Sequence, residues 1–171
     1  MDFVTCNSKC QLLTRSPISV QLLDGQTTLW KTYLSSPSQP AVFSLSERFV
    51  VICTETQKTE QALYVLDAFS GRILHILCNG AYFFGCQFVS DEECVILSRD
   101  TYTSVGSSLR LFNVESGELL TVIDLLEREV SHLAVCPRKR LLAIGQRDSE
   151  LAVELIRVYL PRDKDSRKNN R

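Results

Sequence analysis

Hydrophobic and polar residues alternate along most of this 171-residue chain, and a period of two predicts β-strands rather than helices. The stretch 108–123 shows the pattern most clearly. Leu109 and Leu111 flank Arg110 in one strand, a turn ending at Gly117 follows, and a second apolar strand comes after it. Glycine suits such a turn because it lacks a Cβ and readily takes a positive φ. The pattern therefore predicts strand–turn–strand.

The same pattern occurs earlier in the chain, around Gly71, about 46 residues before Gly117. A second marker is a hydrophobic residue that stands six residues before the start of another strand, and it recurs at spacings of roughly 39–47 residues. These marker positions are Val4, Phe43, Phe88 and Val135. Self-similarity at such a period indicates a repeat protein.

The repeat predicts four units, at about residues 1–25, 26–70, 71–115 and 116–161. Each unit holds a hairpin followed by further strands. In this division the first unit is expected to lack its innermost strand, because the chain starts at Met1 within the second strand of that unit, and the strand that contains Trp30 is assigned to the second unit. Trp30 is expected to pack in the core beside the axis of the array. The polar residues 162–171 are expected to form a disordered tail.

Two features resemble WD40 repeats. The turns 67–71 and 113–117 resemble the family's hydrophobic-x-hydrophobic-Trp-Asp turn, which ends in Ser/Thr-Gly, with Leu66 and Phe112 at the Trp position. The segment 134–145 resembles the family's Phe-Ser-Pro-Asp-Gly-Lys-x-Leu-Ala-x-Gly hairpin. No Gly-His pair is present, so the side-chain network of an ideal WD40 blade is mostly absent.

The resemblance covers roughly residues 3–161. It implies an all-β fold, a partial WD40-like β-propeller of about four blades whose first blade lacks its inner strand. We expect an open arc, and open blade edges favour self-association. The resemblance also points to the C-terminal part of a NACHT and WD40 repeat-containing protein.

Charged residues concentrate in the hairpin turns, which emerge together on one face of the predicted propeller. Their sign changes from acidic in the third unit to basic in the fourth, which suits a partner of matching charge. The candidate interaction residues in these turns are Arg48, Asp91, Glu92, Glu93, Arg138, Lys139 and Arg140. Tyr102 is the aromatic candidate in the long loops of the opposite face. The simpler interpretation, in which these turns serve solubility and these loops merely vary in length, is favoured at this stage.

Composition excludes several function classes. The net charge is −1, so no basic field attracts nucleic acid or an anionic membrane. No apolar run approaches the roughly 20 residues of a transmembrane helix, and no basic leader precedes an apolar segment. These observations predict a cytoplasmic protein with no membrane partner. The seven cysteines are odd in number and irregularly spaced, which is typical of reduced thiols.

The sequence contains no motif for catalysis or for a cofactor. A Gly-rich phosphate loop, a Gly-x-Ser-x-Gly elbow and a His-Glu-x-x-His pair are all missing. Cys6 and Cys10 lie on the two arms of one hairpin with no second ligand pair nearby, which argues against zinc. We therefore predict a non-enzymatic protein–protein interaction scaffold without metal or cofactor. The alternatives are a ligand-sensing or autoinhibitory module of a NACHT-type ATPase and weak RNA binding through the basic tail.

Overall fold

The computed structural model describes residues 2–34, 37–55, 61–100, 107–125, 130–139, 141–146 and 153–157. These residues form fourteen β-strands and one 3₁₀ turn, Pro137–Lys139. The strands are β1 (Asp2–Cys6), β2 (Leu12–Ser16), β3 (Ser19–Asp24), β4 (Thr27–Tyr33), β5 (Pro37–Phe43), β6 (Phe49–Glu55), β7 (Gln61–Asp67), β8 (Ile73–Phe88), β9 (Glu93–Asp100), β10 (Ser107–Asn113), β11 (Leu119–Asp124), β12 (Val130–Cys136), β13 (Leu141–Gln146) and β14 (Val153–Arg157). Within these segments no helix is long and apolar enough to cross a membrane.

The strands form three antiparallel sheets in which neighbours along the chain are neighbours in space. Strands β1–β4 form a four-stranded sheet, β5–β11 a seven-stranded sheet, and β12–β14 a three-stranded sheet. The long strand β8 pairs with β7 through its first half and with β9 through its second half. The seven-stranded sheet therefore contains two four-stranded units that share β8 and meet at Ala81.

We name the four units by their strands. Unit 1 is β1–β4, unit 2 is β5–β7 with the first half of β8, unit 3 is the second half of β8 with β9–β11, and unit 4 is β12–β14. The first strands of successive units contact one another, β1 with β5, β5 with β8, and β8 with β12. Gly85 on β8 permits one of these contacts, since an added Cβ would lie 3.2 Å from the Leu133 side chain of β12.

Strands in the middle of the sheets, such as β6, have nearly continuous runs of apolar residues because both of their faces are buried. On β6, Val50 and Ile52 face the core cluster shared with unit 1, whereas Val51 and Cys53 face the cluster shared with unit 3. Successive side chains of a strand point to opposite faces, and both faces of β6 are covered. A strand buried on both faces needs apolar residues at every position.

Three core clusters lie between consecutive units. Leu13 and Trp30 belong to the first cluster, Phe88 and Phe112 to the second, and Leu142 to the third. Burial of these faces holds neighbouring units together, at about 25 cal/mol per Å² of apolar surface removed from water. The structure confirms the predicted all-β fold and the stacking of hairpin-based units.

The predicted division of the chain is wrong in its first unit. The strand assigned to the second unit, observed as Thr27–Tyr33, pairs with β3 and completes the first sheet. Unit 1 therefore has four strands and does not lack one, and its boundary with unit 2 falls after Tyr33 rather than at residue 25. Trp30 is buried as expected, but it lies on the edge strand of unit 1 and not on an inner strand.

The second predicted boundary also changes, because β8 runs without a break from unit 2 into unit 3. The sequence predicts two strands there, one near Ile73 and one near Cys86, with the unit boundary at residue 71. The structure shows one strand of 16 residues, and its change of partner, not a turn, separates the units. The predicted tail 162–171 lies outside the described residues.

Candidate interaction surface

The first turns of units 2 and 3, between the first and second strands of each unit, are fixed by short-range hydrogen bonds. In unit 2 the Ser44 amide donates to the Phe49 carbonyl at 2.9 Å, and the Ser44 hydroxyl accepts from the Phe49 amide at 3.1 Å. Glu47 takes a left-handed φ of 59° in this turn. In unit 3 the Ser90 hydroxyl accepts from the Glu93 amide at 3.1 Å. Such local bonds hold the backbone of the turns in one conformation.

Acidic side chains then join the first turns of neighbouring units. A carboxylate oxygen of Glu47 in unit 2 accepts a hydrogen bond from the Ser8 amide in unit 1. A carboxylate oxygen of Asp91 in unit 3 accepts from the Ser46 amide in unit 2 at 2.5 Å. The bond from the Ser8 amide lowers the pKa of Glu47, because it stabilises the ionised form. The turns of units 1, 2 and 3 are thus linked in series.

A second set of turns, between the third and fourth strands, is built around an Asp or Asn. In unit 2 the Asp67 carboxylate accepts from the amide and the hydroxyl of Ser70, both at 2.7 Å. In unit 3 the Asn113 side-chain oxygen accepts from the amides of Glu115 and Ser116, both at 2.9 Å. These are Asx turns, in which a short side chain replaces a backbone acceptor. The Ser70 hydroxyl and amide lower the pKa of Asp67 by stabilising its charged form.

The two turns of one unit also bond to each other. The Ala68 amide donates to the Arg48 carbonyl at 2.9 Å in unit 2, and the Val114 amide donates to the Glu92 carbonyl at 2.7 Å in unit 3. Alternating strand direction brings both kinds of turn to the same end of the molecule. We call this end, which comprises 7–10, 44–48, 67–71, 90–93, 113–117 and 137–139, the turn face.

Trp30 makes the junction between unit 1 and the turn face of unit 2. Its indole Nε1–H donates to the Ala68 carbonyl at 2.8 Å. Its ring lies against Gly71, where an added Cβ would come within 2.5 Å of a ring carbon. The Thr32 hydroxyl donates to the Gly71 carbonyl at 2.5 Å. Only glycine leaves room for the indole, and its φ of 72° also favours glycine.

His75 makes the corresponding junction between units 2 and 3. Its Nε2 lies 2.8 Å from the Glu115 carbonyl oxygen, which makes it the donor in this pair. An added Cβ at Gly117, which has a φ of 76°, would lie 2.9 Å from the imidazole ring. The same geometry therefore occurs twice, with an indole at the first junction and an imidazole at the second.

The structure places most of the predicted interaction residues on the turn face. Arg48 Nη2 lies 3.3 Å from Glu115 Oε1, and this ion pair crosses from unit 2 to unit 3. Glu93 accepts a hydrogen bond from the Ser90 hydroxyl at 3.3 Å. Asp91 makes the inter-unit bond described above, and Glu92, Arg138 and Lys139 are exposed. Tyr102 and Arg140 lie outside the described residues.

Sequence reasoning missed two apolar residues on this face. Phe69 is 94% exposed at the tip of the second turn of unit 2, and Leu45 is 58% exposed in its first turn. The available signal was an apolar residue inside a run of polar turn residues. Asp67 and Ser70 flank the first case, and Ser44 and Ser46 flank the second.

The cysteines and acids of the described residues form no metal site. No group of three or more His, Cys, Asp or Glu side chains is suitably arranged there. Cys86 and Cys94 are buried with their sulfurs 3.0 Å apart. The hydrogen bond between them, together with burial, raises the pKa of the Cys86 thiol. A thiol that stays protonated is a poor nucleophile and a poor metal ligand.

Comparison with known proteins adds a fold but no family. No family model matches the sequence, and no curated protein matches it. The structure is similar to a solved structure from Agrobacterium tumefaciens assigned to TolB, with a TM-score of 0.62 and 13% sequence identity. The match covers 86% of this chain and 54% of that one, so this chain spans about half the length of its structural neighbour. The likeness shows the fold alone, which is β-propeller-like.

Proposed function

We propose that this chain is a non-catalytic scaffold for protein–protein interaction, built from WD40-like propeller repeats. The observation that carries the proposal is the linkage of the turns into one surface. The Ser8 amide donates to Glu47, the Ser46 amide donates to Asp91, and Arg48 pairs with Glu115, and each of these bonds crosses a unit boundary. A surface held this way loses little conformational entropy when a partner binds, which favours affinity.

The charges of the turn face suit a macromolecular partner. Unit 3 presents Asp91, Glu92 and Glu93, whereas unit 4 presents Arg138 and Lys139 on its 3₁₀ turn. Charges of both signs, set apart on one face, select orientation and speed association more than they raise affinity. This arrangement supports an interaction role over a site for a small molecule.

The WD40 assignment is the finer part of the proposal. The hydrogen-bonded Asx turns at 67–71 and 113–117 support it, because they carry the acid or amide and the glycine of the family's turn. Leu66 and Phe112 in the Trp position weaken it. The alternative, a sensing module of a NACHT-type ATPase, depends on the resemblance alone. It predicts a Gly-rich Lys-Ser/Thr phosphate loop in a longer transcript.

We also propose a non-catalytic and cytoplasmic role. The non-catalytic part is supported by the absence of catalytic and phosphate-binding motifs from the sequence. RNA binding through the basic tail is tested by fluorescence anisotropy with an RNA oligonucleotide at low salt. Absence of binding excludes it.

The scaffold proposal is tested by affinity purification from cells with matched variants. A triple charge reversal, Glu92→Lys with Arg138→Glu and Lys139→Glu, alters exposed side chains of the turn face. The control is Ile18→Ser, which changes a residue 64% exposed in the turn between β2 and β3, at the opposite end. We expect at least one stoichiometric partner to be lost with the triple variant and kept with the control. Partners that ignore both variants would contradict the proposal.

A further inference from the structure

Cys86 and Cys94 form a pair of thiols in the core cluster between units 2 and 3. Their sulfurs lie 3.0 Å apart, and the two residues are 1% and 0% exposed. Neither residue takes part in the turn face or in the junctions made by Trp30 and His75. The close approach of two thiols is therefore a feature that the proposed function does not use.

The register of β8 and β9 places both thiols on one face of the sheet. Phe88 stands opposite Cys94, and Cys86 stands opposite Ile96. All four side chains belong to the same core cluster, so Cys86 and Cys94 are diagonal neighbours on that face. A disulfide requires sulfurs about 2.05 Å apart, so the two sulfurs must approach by about 1 Å. Diagonal neighbours lie near the upper limit of the Cα separation that a disulfide spans, so closure draws β8 and β9 together at this point.

Burial decides when the two thiols can react. A disulfide forms by attack of a thiolate, not of a thiol. The hydrogen bond between the two sulfurs, together with burial, raises the pKa of the Cys86 thiol, so the folded chain holds the pair protonated and away from oxidants. Before the core cluster closes, both thiols are accessible. The redox conditions during folding therefore decide the state of the pair.

We propose that Cys86 and Cys94 form a disulfide when the chain folds in the presence of a small disulfide such as oxidised glutathione. One cysteine thiolate attacks a sulfur of oxidised glutathione, which breaks that disulfide, forms a mixed disulfide and releases one glutathione thiolate. The other cysteine thiolate attacks the protein sulfur of the mixed disulfide and releases the second glutathione thiolate. The two cysteines lose two electrons in total, and their two protons go to the two reduced glutathione molecules. The inference goes beyond the proposed scaffold function and does not depend on it.

The bond fastens the strand that units 2 and 3 share. β8 pairs with β7 through its first half and with β9 through its second half, in which Cys86 lies. A link from Cys86 to β9 holds the first hairpin of unit 3 closed, and it stabilises the fold chiefly by constraining the unfolded chain. A reducing environment keeps the pair as thiols, the state that the cysteine count predicts for a cytoplasmic protein.

The chain contains its own control for what selects this pair. Cys78 stands as far before Cys86 as Cys94 stands after it, eight residues in each case. Closure of an unfolded chain depends on loop length, so it forms both bonds about equally often. In the folded chain Cys78 and Cys86 lie on the same strand, β8. Residues this far apart along an extended strand are separated by roughly 26 Å, which no disulfide spans.

The test refolds the full chain from urea in a mixture of reduced and oxidised glutathione, blocks the remaining thiols and maps linked peptides by mass spectrometry without reduction. Chymotrypsin separates the three cysteines, because Tyr82 and Phe83 lie between the first two and Phe88 lies between the last two. We expect the Cys86–Cys94 bond to exceed the Cys78–Cys86 bond at least about tenfold, because glutathione reshuffles bonds that the fold excludes.

The same chain oxidised in urea provides the comparison. It should contain the two bonds in comparable amounts, since no fold selects between them. Comparable amounts after refolding as well, or no Cys86–Cys94 bond after refolding, would overturn the proposal.

Matched variants test whether the bond stabilises the fold. Wild type refolded with oxidised glutathione should melt about 5 °C above the reduced protein. Cys94→Ala should remove this difference, whereas Cys53→Ala, which alters another buried cysteine of the same cluster, should keep it. Equal melting temperatures of oxidised and reduced wild type would overturn the stabilising role. If Cys94→Ala does not fold, the peptide map and the two melts of wild type decide the proposal.

Discussion

The junctions made by Trp30 and His75 have the same geometry but different chemistry. Each ring lies on the fourth strand of one unit, packs on a turn glycine of the next, and bonds to a carbonyl of that turn at 2.8 Å. Trp30 is 7% exposed and belongs to a core cluster. His75 is only half-buried, and its hydrogen bond is solvent-exposed. The fold thus fixes the position of the ring, whereas the contribution of the ring to stability depends on which residue carries it and how deeply it is buried.

The glycine is the constant part of the two junctions. Both Gly71 and Gly117 have left-handed φ values, and both leave space for a ring from the preceding unit. Gly25, in the turn between β3 and β4 of unit 1, has the same left-handed φ but nothing within 4 Å of a Cβ added there. Backbone conformation and ring packing are therefore separable by experiment.

Removal of the rings should give the largest contrast between the junctions. Trp30→Ala should lower the free energy of unfolding by about 3–5 kcal/mol, because it leaves a large cavity between units 1 and 2. His75→Ala should cost about 1 kcal/mol, the typical net worth of one hydrogen bond. Urea titration followed by circular dichroism measures both, with Leu29→Ala, at an exposed neighbour, as the control. Equal losses of stability for Trp30→Ala and His75→Ala would contradict the prediction that the buried indole contributes more than the half-buried imidazole.

Substitution of the turn glycines should give the next largest losses of stability. The loss should be smallest for Gly25→Ala, larger for Gly117→Ala and largest for Gly71→Ala. Gly25→Ala carries only the backbone strain of a left-handed alanine, about 1–2 kcal/mol. Gly71→Ala adds overpacking against a buried indole, about 1–3 kcal/mol more. Gly117→Ala should fall between them, because the half-buried imidazole is freer to move. Melting temperatures of the three variants measure the order, and a Gly25→Ala effect as large as that of Gly71→Ala would argue against ring packing.

Acid should weaken the turn of unit 2 but not the turn of unit 3. The hydrogen bonds from Ser70 hold the pKa of Asp67 below its ordinary value of 3.8. A lowered folded pKa gives stability that is present above about pH 4 and is lost as the pH falls through the folded value. The carboxylate is largely exposed, so the effect should stay below about 1 kcal/mol. Asn113 does not titrate.

The pH contrast is measured by melting wild type, Asp67→Asn and Asn113→Asp at pH 7 and pH 3. Other carboxylates titrate in all three proteins, so the difference between proteins is the useful quantity. Asp67→Asn should lose less stability on acidification than wild type, and Asn113→Asp should lose more. An identical loss in all three would mean that the Ser70 bonds do not stabilise the ionised carboxylate of Asp67.

The ion pair between Arg48 and Glu115 should have the smallest effect. Its side chains are 58% and 54% exposed, and exposed pairs contribute about 0.2–1 kcal/mol. A double-mutant cycle with Arg48→Ala and Glu115→Ala measures the coupling, which should shrink at high salt. A coupling above about 2 kcal/mol would indicate a network that the described contacts do not contain.

The sequence predicted the hairpins and the glycine turns. Period-two patterns locate strands such as β10, because the alternation of side chains between the two faces of a strand is visible in the local order of residues. The positive φ at Gly71 and Gly117 follows from the same local reasoning. Arg48 and Asp91 lie in turns of one face, and their bonds to the neighbouring unit could not be read from the local pattern.

The errors come from information that is not local. In the sequence, the strand that contains Trp30 lies between β3 of unit 1 and β5 of unit 2, and the repeat pattern does not indicate which sheet the strand joins. In the structure it pairs with β3 and therefore belongs to unit 1. Likewise, β8 changes partner at Ala81 with no turn residue to mark the point. The exposure of Phe69 depends on what surrounds the turn in space and is invisible to periodicity.

The contact between Trp30 and Gly71 tests the account most directly, because it joins unit 1 to unit 2 through the chain's single tryptophan. Nuclear Overhauser spectroscopy on ¹⁵N,¹³C-labelled protein detects the contact between Trp30 and Gly71 through the single indole N–H signal. The account predicts strong cross-peaks from the Trp30 ring to the Gly71 α-protons and an indole N–H that exchanges slowly with solvent. A rapidly exchanging indole N–H without cross-peaks to Gly71 would contradict the junction and the unit assignment built on it.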